Sequence, residues 1–288
     1  MMQLVQVKAD ILEVFHRELQ GPSAAIAASG ITREEKAKAI NSLVGATRSK
    51  LSEKVASLAV SDRPNYSLVL QYCCSVASLE YRHKVWPYEY MAFSRRVGEL
   101  WEAFCKAAWD YPSRPAVARI STPAFATVRD ALSSRIKTNI GEHGKRDEII
   151  QDVDTLFEII GNINMNEDEV FRVGDTPHVI DFKSGFGSNE KGNMLRLQTV
   201  GKAYRIWNHQ TRLLLLVRQE ENNNYLNVLR RAGLWEVHTG TKAYEQVSEL
   251  TGADMQTVRD TIIDWPSDLS PELYVFLTSA NLTSYLTW

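Results

Sequence analysis

An acidic residue and a lysine, Asp181 and Lys183, lie two positions apart directly after the apolar pair Val179-Ile180. In a β-strand such residues project to one face, so we expect the two side chains to meet while Phe182 faces the other way. A carboxylate binds hard divalent metals through oxygen. An ammonium beside it can stabilise developing negative charge or help to activate a water molecule. The pairing is typical of a site that hydrolyses phosphodiesters.

The segment that follows is rich in glycine, serine and asparagine, which predicts a loop from Ser184 to Asn193. Leu197, Val200 and Tyr204 then recur at helical spacing, and the apolar run 213–217 predicts a buried strand. This order indicates an α/β core with its chemistry at the end of a strand. We expect the loop to bind DNA, and its candidate contact residues are Ser184, Ser188, Asn189, Lys191 and Asn193.

The Asp-Phe-Lys triplet, its strand–helix–strand setting and the acidic segment upstream resemble the PD-(D/E)xK nuclease superfamily, to which type II restriction endonucleases belong. The resemblance spans approximately residues 90–220. It implies a restriction-endonuclease-like core, a central mixed β-sheet flanked by helices, here with helical elaborations at both termini. It also implies Mg²⁺ as cofactor, Asp181 as a metal ligand, and Lys183 as the residue that orients or deprotonates the attacking water.

The resemblance further implies a second acidic metal ligand on a neighbouring strand. Asp154 is the best candidate, because Gln151–Ile160 contains β-prone bulk and predicts a strand. Val153 stands where the family has a proline. Asp175 falls in Gly174–Pro177, which predicts a turn before the catalytic strand. Asp152, Glu158 and Asp175 remain alternatives to Asp154.

The family often adds a glutamate from a helix that precedes the sheet. Ser94–Cys105 predicts such a helix, because apolar residues recur along it at positions 97, 100, 101 and 104. Glu99 and Glu102 are three positions apart, so they are neighbours on the helix surface. Either of them is a candidate to reach the metal, directly or through water.

Composition limits the other possibilities. Of the 288 residues, 44% are hydrophobic and 24% are charged, and the net charge is −2, which is ordinary for a globular protein. A balanced charge argues against simple electrostatic coating of nucleic acid and leaves a site-specific enzyme open. The three cysteines have no metal-ligand spacing and suggest free thiols in a reducing compartment. No leader or membrane-spanning run is evident, so we expect the cytoplasm of a prokaryotic cell and no membrane partner.

Three regions are predicted along the chain. Residues 1–85 form a helical lobe for scaffolding, DNA contact or dimerisation, in which Thr32 and Glu35 predict a capping box. Residues 86–220 form the catalytic core. Residues 221–288 form a helical appendage of the same globule, and its helices Thr241–Leu250 and Asp254–Trp265 are candidates for a helix-turn-helix.

The sequence therefore predicts a site-specific, Mg²⁺-dependent endonuclease for double-stranded DNA, of the type II restriction class. A palindromic DNA site would favour a homodimer, because the symmetry of the protein mirrors that of the DNA. A repair or defence nuclease of the same fold is one alternative. A non-catalytic DNA-binding or helical scaffold protein is the other.

Overall fold

The structure, a computed structural model, describes residues 3–185, 191–220 and 224–288. The chain divides into two compact units. Residues 1–115 and 244–288 form the first, which we call the helical unit, and residues 116–243 form the second, which we call the sheet unit. The C-terminal helices therefore belong with the N-terminal ones. The predicted boundaries after residues 85 and 220 each fall inside a unit.

The helical unit is built around one buried helix, α3, in which every residue from Tyr66 to Tyr81 is buried. Neighbouring helices pack around it. The capping box of α2 is confirmed, with the Glu35 backbone N–H donating to Thr32 Oγ1 and the Thr32 N–H donating to Glu35. The helices of this unit are α1 (Leu4–Ala28), α2 (Arg33–Ser52), α3 (Arg63–Val85), α4 (Tyr90–Lys106), most of α9 (Thr241–Thr251), α10 (Met255–Ile262), α11 (Trp265–Asp268) and α12 (Pro271–Ser279).

A buried charged network ties α1, α3 and α11 together. The Lys8 ammonium lies 2.9 Å from Asp268 Oδ2 and donates to the backbone oxygen of Ile262 at 3.0 Å. The Tyr72 hydroxyl donates to the same Asp268 oxygen at 2.7 Å and accepts from the backbone N–H of Asp264 at 3.0 Å. The charge and the hydroxyl are therefore both satisfied inside the unit, as buried polar groups require.

The sheet unit contains a mixed sheet, which the described residues show as five strands in the order β1-β2-β3-β4-β5. The first three strands are antiparallel, and β3, β4 and β5 are parallel. Its strands and helices are β1 (Val117–Arg119), α5 (Phe125–Ile140), α6 (Arg146–Ile160), β2 (Glu169–Val173), β3 (Thr176–Lys183), α7 (Lys191–Trp207), β4 (Arg212–Val217), α8 (Asn224–Ala232) and β5 (Glu236–Thr239). The predicted α/β class, a mixed sheet flanked by helices, is confirmed.

The strand predicted at Gln151–Ile160 is wrong, because these residues form the C-terminal part of α6. Ile150, Val153 and Phe157 recur three and four positions apart, which is helical spacing. Phe157 stacks on Phe125 of α5, with ring centroids 5.0 Å apart. The helical period therefore prevails over the β propensity of the individual residues, and the strand beside β3 is β2 instead.

Helix α7 covers one face of the sheet and fixes the position of the strand ends. Leu197, Val200 and Tyr204 are buried in one cluster with residues of β3 and β4. The Trp235 indole donates to the backbone oxygen of Leu197 at 2.8 Å. Among the described residues, no helix combines the length and the apolar character needed to cross a bilayer.

Candidate active site

Strands β2 and β3 form a hairpin that positions the candidate site at its open end. Glu169 pairs with Ile180, and the strands are joined at Gly174, whose φ of +60° favours glycine. Beyond the last pair, Asp168 Oδ2 accepts from the backbone N–H of Phe182 at 2.7 Å. This bond holds the residues just before β2 against the end of β3.

Asp181 and Lys183 meet at the end of β3, as their spacing predicts. The Asp181 side chain is 2% exposed and that of Lys183 is 18% exposed. The Lys183 ammonium forms an ion pair with Asp181 Oδ1 and donates to the backbone oxygen of Phe182 at 3.2 Å. The other carboxylate oxygen, Oδ2, accepts from the guanidinium of Arg196 on α7. One buried carboxylate therefore contacts two cations.

A second acid, Glu167, joins this group from the segment before β2. Its side chain is 1% exposed, and Oε1 lies 2.6 Å from Arg196 Nη1. Arg196 therefore bridges Glu167 and Asp181, one with each terminal nitrogen. The Tyr204 hydroxyl, also on α7, donates to the backbone oxygen of Met165 at 2.6 Å. Helix α7 thus both anchors the segment that carries Glu167 and supplies the bridging guanidinium.

Burial dominates the electrostatics of this acid pair. Burial, together with a hydrogen bond to Asp181 and the charge of Asp181, raises the pKa of Glu167 to about 8, while Arg196 acts in the opposite direction. The protonated form of Glu167 is therefore favoured near neutral pH, beside the carboxyl group of Asp181. A cation that binds Glu167 in its ionised form displaces this proton.

Two buried oxygen atoms of the pair are candidate ligand atoms. Glu167 Oε2 meets no hydrogen-bond donor among the described residues, and Asp181 Oδ1 contacts the Lys183 ammonium with one lone pair and keeps the other. The described residues contain no cluster of three or more His, Cys, Asp or Glu side chains with metal-site geometry. Mg²⁺ is commonly held by one or two carboxylates together with waters and substrate phosphates. A pair of hard oxygen ligands therefore fits Mg²⁺.

The acid predicted as the second metal ligand, Asp154, is not part of this group. It lies exposed on α6, where its Oδ1 is 3.8 Å from Arg129 Nε. Asp152 and Glu158 lie on the same helix. Asp175 occupies the turn at the closed end of the hairpin, about 20 Å along the strand from Asp181 by extended-chain geometry. The acid that shares a cation with Asp181 is instead Glu167.

Glu99 and Glu102 lie on α4 in the helical unit, on the helix that the sequence predicts. Glu99 forms ion pairs with Arg95 at 3.0 Å and Arg96 at 3.3 Å. Glu102 pairs with Lys106 at 3.3 Å. Each carboxylate therefore has at least one cationic partner on its own helix. Both belong to the helical unit, whereas Glu167 and Asp181 belong to the sheet unit.

The predicted DNA-contact residues fall on both sides of a gap in the described residues. Ser184 follows β3, and its backbone oxygen accepts from Arg218 Nε at 3.3 Å. Lys191 is exposed at the start of α7, and Asn193 Oδ1 accepts from Arg196 Nε at 3.3 Å. Asn193 thus contacts the guanidinium that bridges the acids. Ser188 and Asn189 lie outside the described residues.

Glu167 and Arg196 are the site residues that sequence reasoning missed. Glu167 stands among the three consecutive acids before the apolar stretch 170–173, followed by a turn at Gly174-Asp175 and then by β3. This pattern of strand, turn and strand predicts a hairpin, and a hairpin brings its two open ends together. Arg196 carries no comparable signal, because its contact depends on the rotation of α7.

Comparisons of the chain with models of known protein families, with characterised proteins and with solved structures find no match. Its function is therefore inferred from the site and from the topology that positions it.

Proposed function

We propose that this protein is a Mg²⁺-dependent endonuclease that hydrolyses double-stranded DNA at specific sites, of the PD-(D/E)xK superfamily and the type II restriction class. The observation that carries the proposal is the buried pair Glu167–Asp181 with Lys183 beside it at the end of β3. Two acids and a lysine at the open end of a hairpin have the composition and the setting that the resemblance implies.

Topology supports the same proposal. A β-hairpin, β2–β3, leads through helix α7 to β4, which pairs parallel to β3 with Asp181 opposite Leu215. A parallel pair needs such a crossover, and ligand sites in α/β sheets lie outside the carboxyl ends of the strands. Lys183 is the last residue of β3, so the proposed chemistry lies at that end.

Glu167 Oε2 and Asp181 Oδ1 are the atoms that would hold Mg²⁺, because both are buried, Oε2 has no hydrogen-bond donor among the described residues, and Oδ1 keeps a lone pair beside the Lys183 ammonium. When bound there, the ion would polarise the scissile phosphate and lower the pKa of a water molecule. Glu167 contributes by giving up the proton that its raised pKa retains at neutral pH. Arg196, 39% exposed, keeps the two carboxylates oriented and can turn towards solvent.

Lys183 would act on the attacking water and on the charge that develops at phosphorus. Its ammonium lies beside Asp181 and is only 18% exposed, so its position is restricted. A compact ammonium can donate to an oxygen in several directions and can lose its proton when desolvated. Asp181 therefore has two roles, since it would bind the cation and also hold Lys183 in place.

Recognition of DNA would come from residues near this strand end. Lys191 presents an exposed cation at the start of α7, and Ser184 directly follows Lys183. One such site cuts one strand, so double-strand cleavage at a palindrome would take two copies of the chain arranged as a two-fold dimer. A restriction enzyme of this kind would act in the cytoplasm of a prokaryotic cell.

The decisive experiment is incubation of the purified chain with plasmid DNA in Mg²⁺ and, separately, in EDTA. We expect discrete fragments in Mg²⁺ and no cleavage in EDTA. Asp181→Asn and Glu167→Gln should each slow cleavage roughly 100- to 1000-fold, because each removes a ligand of the ion that supplies several kcal/mol of transition-state stabilisation.

Asp154→Asn is the matched control, because it neutralises an exposed carboxylate of the same unit that pairs only weakly with Arg129. It should cleave at the wild-type rate. Full activity of Asp181→Asn would overturn the proposal. A loss in Asp154→Asn equal to that in Glu167→Gln would overturn the assignment of Glu167 as the second ligand. A smear instead of discrete fragments would indicate a nuclease without site specificity.

A further inference from the structure

A cavity of about 310 Å³ opens in the helical unit, and three of its seven lining residues are arginines. Helices α2, α3 and α4 and the segment between α3 and α4 contribute to its wall. The charged residues in the wall are three arginines, at positions 82, 95 and 96, and one acid, Glu99. An excess of two positive charges around one cavity favours an anionic ligand. We call this feature the arginine cavity.

Arg82 is the most fixed of these cations. Its guanidinium carbon lies 4.7 Å from the ring centroid of Trp86 and 5.4 Å from that of Tyr88. Arg82 Nη1 also donates to the backbone oxygen of Trp86. Burial lowers the pKa of Arg82, which means that its charge is incompletely compensated by its surroundings. A planar cation held in this way is preorganised for a bidentate oxyanion.

Arg95 and Arg96 share a single counter-ion. Glu99 Oε1 lies 3.0 Å from Arg95 Nε, and Oε2 lies 3.3 Å from Arg96 Nη1. Arg96 also donates to the Ser78 hydroxyl through Nη2, which fixes the direction of its guanidinium. The Arg95 side chain is 84% exposed, so it can close over a ligand without disturbing the core. The single carboxylate limits how much positive charge the two arginines present.

Tyr88 adds a neutral donor to the same wall. Its hydroxyl is buried beside the guanidinium of Arg96, which contacts it as a hydrogen-bond donor. Burial raises the pKa of Tyr88 to about 12, against the opposing influence of Arg96 and Arg82, so the phenol keeps its proton near neutral pH. A hydroxyl that accepts from Arg96 still has its own proton to donate to a ligand oxygen in the cavity.

We propose that the arginine cavity is a phosphate-binding site, which takes a phosphate group either from a DNA strand or from a free phosphorylated molecule. A bound molecule with one carboxylate would neutralise only one of the two excess positive charges in the cavity wall. A phosphate dianion would neutralise both. The volume is at the lower end of the range for small-molecule sites, larger than one phosphate alone. The inference is independent of the proposed nuclease site, because the cavity lies wholly within the helical unit.

The test is titration calorimetry of inorganic phosphate into the full chain, in EDTA, with four variants. Arg82→Gln and Arg95→Gln should each weaken phosphate binding about tenfold, the effect of losing one charge-assisted hydrogen bond. Glu99→Gln should strengthen binding a few-fold, because it frees Arg95 and Arg96 from their carboxylate. Arg17→Gln is the control, since Arg17 is an exposed arginine of the same unit outside the cavity.

Gain of affinity in Glu99→Gln is the most informative result, because a purely structural role for the ion pairs would not produce it. A second arm adds a short DNA duplex as competitor. Displacement of phosphate by the duplex would identify a DNA strand as the source, and no displacement would identify a free phosphorylated molecule. Absence of phosphate binding to the wild type, or an equal loss in Arg17→Gln and Arg95→Gln, would overturn the proposal. Circular dichroism melting confirms that each variant is folded.

Discussion

The protein contains two buried charged clusters that differ in whether their hydrogen bonding is complete. In the helical unit, Asp268 forms an ion pair with Lys8 and accepts a hydrogen bond from the Tyr72 hydroxyl. That hydroxyl accepts in turn from the backbone N–H of Asp264. In the sheet unit, Asp181 contacts Lys183 and Arg196, yet Glu167 Oε2 finds no hydrogen-bond donor among the described residues. Both clusters are buried to a similar degree, so burial does not distinguish them.

The difference teaches how to separate a structural charge from a functional one. A complete network stabilises the fold, because every buried polar group has a partner. An incomplete one costs stability and is retained where a ligand completes it. The proton that Glu167 holds at neutral pH is the sign of such an incomplete site. The comparison predicts that substitutions in the two clusters have opposite consequences.

The largest expected effect is on stability. Asp268→Ala should lower the free energy of unfolding by about 3–5 kcal/mol, because it leaves the ammonium of Lys8 buried without its partner. Asp181→Asn should change it by less than about 1 kcal/mol, because Lys183 keeps the backbone oxygen of Phe182 as a partner and Arg196, which is 39% exposed, keeps Glu167. Urea unfolding in EDTA measures both. Similar losses in the two variants would mean that both clusters are structural.

The next effect is on turnover. Lys183→Ala should reduce the rate of DNA cleavage about 100-fold, because it removes the charge beside the attacking water, whereas DNA affinity in Ca²⁺ should be unchanged. Lys183→Arg should not restore the rate, since a wide guanidinium cannot replace a compact ammonium. Single-turnover cleavage and gel-shift titration are measured side by side. Equal losses of rate and affinity would make Lys183 a phosphate anchor only.

A third effect appears in the pH dependence of stability without metal. The pKa of Glu167 is about 8 in the folded chain against an ordinary value of 4.5. Between pH 4.5 and about pH 8, Glu167 is protonated in the folded state and ionised in the unfolded state. The stability that this bound proton provides is fully present below pH 4.5 and is lost as the pH rises through about 8. The slope approaches about 1.4 kcal/mol per pH unit.

Glu167→Gln should flatten this slope, because glutamine stays neutral over the whole window. Urea unfolding in EDTA at pH 5, 6, 7 and 8.5 measures it for the two proteins. Parallel pH profiles would show that Glu167 is ionised in the folded state and that the acid pair is already compensated.

The smallest effect concerns DNA contact at the start of α7. Lys191→Ala should weaken DNA binding a few-fold for all sequences and reduce the slope of affinity against salt by about one, if Lys191 contacts a phosphate. Lys202→Ala is the control, because Lys202 is exposed near the other end of α7. Loss of preference at one base position, in place of the uniform weakening, would identify a base contact.

Periodicity alone predicted most of the elements that carry the site. Local signals can be read from a short stretch of sequence without a structure. Examples are the apolar spacing of α7, the apolar run of β4 and the capping residues of α2. The Asp181–Lys183 pair was predictable for the same reason, since a strand fixes which neighbours share a face.

The second acid could not be predicted from local signals. Residues 151–160 carry β-prone side chains at helical spacing, and packing on Phe125 decides in favour of the helix. Glu167 precedes β2 and belongs to the site only because the hairpin pairs Glu169 with Ile180. The role of Arg196 depends on how α7 rotates against the sheet. The pairing of distant segments and the rotation of a helix against a sheet are tertiary properties. They cannot be read from a short stretch of one sequence.

The β2–β3 hairpin also has a consequence for the order of folding. Its short turn at Gly174 makes closure a fast, local event. That closure brings Glu167 towards Asp181, and two ionised carboxylates at the open end repel each other as they lose water. We therefore expect the hairpin to become stable only when one acid takes up a proton or when α7 docks and brings Arg196 to the two acids. On this hypothesis, completion of the hairpin and the crossover to β4 form one late cooperative step.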